Sequence, residues 1–140
     1  MDQIDFAVEC TKAVAEVKSR DIQSRYASRA RSLISDLYVL GPAYVVAVAA
    51  ARSSKDAVEL GLRAESCREV VEGVMNAREG PEWKAYALYG AVLLYTMKKV
   101  GVVSSTSFED VLMELKRPSS ALKSREVARW IKLLAEAYFK

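Results

Sequence analysis

The chain has 140 residues, a net charge of +3, and a composition that is 51% hydrophobic and 28% charged. That is the size of one domain, 1–140, with a core of its own; the hydrophobic content argues against disorder, and three prolines and six glycines leave no room for a low-complexity linker. The lack of histidine excludes Ser-His and Cys-His nucleophile pairs and histidine-containing metal clusters.

The elements read as helices throughout. Asp2 is placed to cap a first helix reaching about Ser19, with Phe6, Cys10, Ala13, Val14 and Val17 on one stripe. A break near Ser19–Asp21 is expected, because the stripe then moves to another face. The second helix carries Ile22, Tyr26, Ala30, Leu33 and Leu37 inward and stops before Gly41, since the residue preceding a proline avoids helical geometry. Pro42 suits the first turn of a third helix, running to about Arg52. Its residues 43–51 are apolar on every face, which predicts burial all round. Ser53 and Asp56 open a fourth helix, with Leu60, Ala64, Cys67, Val71 and Val74 inward. Gly80-Pro81 ends that region. A fifth helix, Glu82 to Val100, is the expected centre of the bundle, and Gly101 is its stop. Ser107 and Asp110 start a short sixth helix. Pro118-Ser119-Ser120 separates it from a last helix with Val127, Trp130, Ile131, Leu134 and Tyr138 at helical spacing. No segment alternates like a strand, so the fold class is all-α: a single-domain bundle of six to seven helices.

Two uncharged runs test for a membrane span. Leu37–Ala51 has fifteen residues interrupted by Gly41-Pro42, and Ala85–Met97 has thirteen. A spanning helix needs roughly 20, so both read as buried helices and no membrane is expected. Cys10 and Cys67 each fall among apolar residues at helical spacing, which reads as buried free thiols and a reducing, cytoplasmic setting. The acidic start, Asp2 and Asp5, does not resemble a secretory signal. Only Asn76, Gln3 and Gln23 carry side-chain amides, a depletion that points to a thermophilic source.

The charge is uneven. Residues 18–31 sum to +4 and residues 116–132 to +5, leaving −6 on the remainder. Within the first segment, Arg25 and Arg29 lie one turn apart beside the Tyr26 stripe. Lys18 joins them only if the helix is unbroken, and Arg31 lies nearly opposite, closer to Arg20. In the last helix Arg125, Arg129 and Lys132 form a row clear of the Trp130 face. Such rows meet successive phosphates, with binding that depends on salt and not on base sequence; the plain alternative is a solvated helix face. The acidic pairs Glu109-Asp110 and Glu65/Glu69 have the spacing of helix starts and solvated faces. No glycine-rich phosphate loop is present, and Gly61, Gly73 and Gly90 read as sites of close helix packing. No enzyme activity, cofactor, metal or small-molecule substrate is expected.

Tyr26, Ala30, Leu33, Gly41, Ala47 and Ser53 have a spacing that resembles the small helical subunit of the type III-B (Cmr) CRISPR RNA-targeting effector complex. The run Arg125 to Ala137, with Trp130, Lys132 and Ala135-Glu136-Ala137, is similar to that family's ending. The sequence departs from the pattern at Ile34, Pro42 and Val48. The resemblance implies an archaeal or thermophilic antiviral-defence protein without nuclease activity. It implies partners too: other Cmr subunits, copies of itself stacked in the minor filament, and crRNA and target RNA. The candidate RNA contacts are Arg25, Arg29, Lys18, Arg20, Arg31, Arg125, Arg129 and Lys132. Two alternatives stay open: the small subunit of another CRISPR effector type, and a helical adaptor that binds only protein.

Overall fold

The computed structural model describes residues 1–139. Eight helices follow in chain order: α1 (Gln3–Ala15), α2 (Arg20–Leu40), α3 (Pro42–Arg52), α4 (Lys55–Arg63), α5 (Cys67–Met75), α6 (Pro81–Lys99), α7 (Phe108–Glu114) and α8 (Pro118–Tyr138). There is no strand among the described residues, and no helix there is long and apolar enough to cross a membrane.

The boundaries follow local chemistry. Asp2 and Asp5 form a reciprocal capping box at α1. Ser19, Ser54, Ser66 and Ser107 each accept a first-turn N–H with the side-chain oxygen. Prolines open α3, α6 and α8. The sequence predicted one helix from Ser53 through Val74; the chain instead breaks at Ala64–Ser66, where Ala64 turns extended and Ser66 caps a new helix. That division gives eight helices where six to seven were expected. Two helix starts also take remote carboxylates. Glu9 on α1 accepts the Cys67 N–H at 2.8 Å, and Glu59 on α4 accepts the Phe108 N–H at 2.6 Å. Both place negative charge at the positive end of a helix dipole.

Helix α6 is the axis of the bundle. Every residue from Ala85 to Met97 is buried, and α2, α3, α4 and α5 all pack on it. The closest crossing is with α4: a Cβ added at Gly61 would stand 2.1 Å from the Ala91 carbonyl oxygen. At Gly90 an added Cβ would meet Val58 and Ala49. Glycine at these two positions lets the backbones approach to a distance no side chain permits. Inside, the Tyr26 and Tyr89 rings meet edge to face, and burial pushes both hydroxyls well above the usual tyrosine pKa.

Two expectations fail. The third helix is not buried all round. Pro42, Val45, Val46 and Ala49 face the core, while Tyr44 is exposed and Ala43, Ala47 and Val48 are half-buried. Val39, 80% exposed, and Leu40 extend this apolar surface into the end of α2. Five helices touch α3 yet leave Tyr44 uncovered, so a run without charge is not a run without solvent. The cysteines are not free thiols either. Cys10 and Cys67 form a disulfide between α1 and α5, their Cα atoms 5.2 Å apart across a separation of 57 residues. Helical spacing places each thiol inside but carries no information on which helices meet. With both thiols bonded to each other, nothing in the cysteines points to a reducing compartment.

Candidate nucleic-acid interface

The break after α1 is locked in place. The Gln23 side-chain amide donates to the carbonyls of Val14, Ala15 and Val17 at 3.2, 3.2 and 2.9 Å, capping the α1 terminus from within α2. Lys18 therefore lies in the connector and is not in register with Arg25 and Arg29. It lines a groove of about 340 Å³ between α1 and α5, with Val17, Arg68 and Glu72.

Helix α2 presents cations on two flanks. Arg25 and Arg29 face α6. Arg25 donates to Asp21 at 2.9 Å and to Glu82 at 2.6 Å. The bonds to Asp21 and then Glu82 raise its pKa above the ordinary arginine value. Arg29 donates to the Tyr86 hydroxyl at 2.7 Å, lies over the Tyr86 ring, and stands 3.8 Å from Glu82. Arg52, at the end of α3, reaches the same ring. The charge on this flank is largely answered inside the protein.

The other flank faces α8. Ser24, Ser28, Arg31, Ser35 and Tyr38 recur at the spacing of one helix face, and Arg20 continues that face toward the α2 N-terminus. Helices α2 and α8 pack against each other. Arg125 donates to the Tyr38 carbonyl at 3.1 Å, and Arg129 donates through Nε to the Tyr38 hydroxyl at 3.0 Å. Both guanidinium groups lie over the Tyr38 ring, 5.1 and 5.8 Å from its centroid. Further along, Glu136 takes Lys132 at 3.1 Å and Arg31 at 3.8 Å. At the end of the seam Arg20, Ser24 and Tyr138 share a pocket of about 320 Å³. Of the five cations on this seam only Arg31 and Lys132 have an ion-paired carboxylate, Glu136, among the described residues. Neither Arg125 nor Arg129 has a carboxylate within 4.0 Å there.

The eight candidate cations are therefore regrouped. Arg20, Arg31, Arg125, Arg129 and Lys132 come together on the α2–α8 seam. Arg25 and Arg29 are set apart on the α6 flank, and Lys18 stands alone. Sequence reading missed Tyr38, Tyr86, Arg52 and Glu82. Tyr38 was within reach, because it falls on the Ser24–Arg31 face at helical spacing. Arg52 and Glu82 gave no local signal, since their roles depend on how α3 and α6 pack. Each tyrosine-centred cluster holds one buried guanidinium Nε without an acceptor, on Arg29 and on Arg125.

Compared with known protein families, with curated proteins and with solved structures, the chain matches none.

Proposed function

We propose that the chain is a non-catalytic RNA-contacting subunit of a CRISPR effector of the type III-B (Cmr) kind, with the α2–α8 seam lying along the guide or target RNA backbone. The observation that supports it best is the gathering of Arg20, Arg31, Arg125, Arg129 and Lys132, from two distant stretches of sequence, against one ion-paired carboxylate. Two packed helices give the seam its rigidity, and the Tyr38 ring and oxygens hold two guanidinium groups at the surface. Arginine forks match paired phosphate oxygens, and the serines between them offer hydroxyl donors. Nothing in the seam reads a base edge, so binding is indifferent to sequence and driven by counterion release. Other subunits of the complex, and further copies of this chain, are its protein partners in this reading. A thermophilic cytoplasm accommodates the disulfide, because intracellular proteins of hyperthermophiles retain such bonds.

Exposed Val39, Leu40 and Tyr44 favour a second reading, a helical adaptor whose cations meet an acidic protein. Titration of a labelled oligouridylate by fluorescence anisotropy across a salt series separates the two. The RNA reading expects log K to fall linearly with log salt, with a slope of roughly −2 to −3.5 for three to five contacts on a single strand. Absence of binding at low salt sinks it and leaves the adaptor.

A further inference from the structure

The cations on the α6 side of α2 form a second cluster, in which Asp21 pairs with Arg25 along the helix and Glu82 reaches across from α6. Arg25 meets Glu82 at 2.6 Å and Arg29 stands 3.8 Å from the same group. Arg52 brings its guanidinium to 5.9 Å from the Tyr86 ring centroid, against 5.1 Å for Arg29. Arg52 is exposed and has no carboxylate within ion-pairing distance among the described residues. Arg29 Nε is buried with no acceptor. Three cations from two helices thus gather at one place, Arg29 and Arg52 on the Tyr86 ring and Arg25 on Glu82, and the Arg25–Glu82 pair that closes the cluster is about half exposed on both sides. Exposed pairs of this kind are screened by water and contribute little. A phosphodiester offers a guanidinium the same charge and the same pair of oxygens as the Glu82 carboxylate.

We propose that Arg25, Arg29 and Arg52 form a second phosphate-backbone site around Tyr86, held closed by Glu82, which an RNA phosphate displaces. It rests on the reading of the chain as an RNA-contacting protein but concerns a different surface. The seam is open in the free protein, whereas this site opens only by exchanging an internal partner for an external one.

Glu82→Gln keeps shape and hydrogen bonding while removing the charge, and its exposed position leaves the fold intact, as a thermal melt by circular dichroism would verify. Oligouridylate affinity should rise about threefold at low salt, and the salt dependence should steepen by roughly 0.7 for each added phosphate contact. Adding Arg52→Ala should cancel the gain. Glu72→Gln on α5, remote from the cluster, should give no comparable gain. An unchanged affinity in Glu82→Gln overturns the proposal, and so does an equal gain in Glu72→Gln, which would reduce the effect to net charge. If the unaltered protein binds RNA but Glu82→Gln adds nothing, only this second site falls. If neither binds, the RNA reading falls with it.

Discussion

The two flanks of α2 are built alike and differ in one respect. Each sets two arginines over a tyrosine: Arg125 and Arg129 over Tyr38, Arg29 and Arg52 over Tyr86. Each leaves one guanidinium Nε buried without a partner. On the α6 flank Glu82, with Asp21 beside it, meets the cations. On the α8 flank the Tyr38 ring, hydroxyl and carbonyl do the holding, and none of these cancels a charge. An arginine held by neutral acceptors remains a cation toward the outside, while one held by a carboxylate is half of a neutral pair. Counting basic residues along a sequence does not tell which of them are neutralised; the identity of their acceptors does.

Both flanks rest on one scaffold, and disrupting it has the largest expected effect. Gly61→Ala would put a methyl group into the Ala91 carbonyl, a backbone atom that cannot rotate away. A loss of about 3 kcal/mol or more in urea unfolding is expected, and both flanks should fail together. Retained RNA binding in a destabilised Gly61→Ala protein would show that the seam does not depend on the α4–α6 crossing. Removing the disulfide sharpens the contrast. Cys10→Ala with Cys67→Ala should cost about 2–4 kcal/mol in the same assay, given a closed loop of this length. Helix α1 packs on α8, α5 and α6. Hydrogen exchange should therefore accelerate in α1 and α8, on the seam side, more than in the part of α2 that faces α6. A uniform acceleration would contradict that division. Charge reversal then compares the flanks directly. Arg125→Glu with Arg129→Glu should weaken oligouridylate binding about a hundredfold at low salt, roughly tenfold for each lost contact. Arg25→Glu with Arg29→Glu should weaken it only a few-fold, because Glu82 already answers those charges. Equal losses would erase the distinction between the flanks.

Much of the fold was legible because its causes are local. Asp2 and Ser107 as caps and Pro42 in the first turn of α3 mark helix starts by chemistry that acts within four residues, while the cap expected at Ser53 falls one residue on, at Ser54. The central place of α6 was legible as well, since its uncharged stretch Ala85–Met97, apolar on most faces, has few ways to avoid burial. The same argument misled at α3, where alanine-rich faces tolerate water and no neighbour covers Tyr44. The division at Ala64–Ser66 was missed because a serine inside an apolar periodicity gives no sign that it caps a new helix.

The candidate site was legible only as an inventory. Arg125, Arg129 and Lys132 were visible as a row, and Arg20 and Arg31 were visible as lying away from Arg25 and Arg29. By itself the sequence determined the helices apart from the α4–α5 division, the central position of α6 and the list of cations, because periodicity, caps and charge are properties of neighbouring residues. Tertiary structure alone decided that Cys10 meets Cys67, that Glu82 closes on Arg25, and that Tyr38 gathers Arg125 and Arg129 from far along the chain. Each of these depends on which helix faces pack together, and that is settled by steric fit across the whole core, as where Gly61 admits the Ala91 backbone.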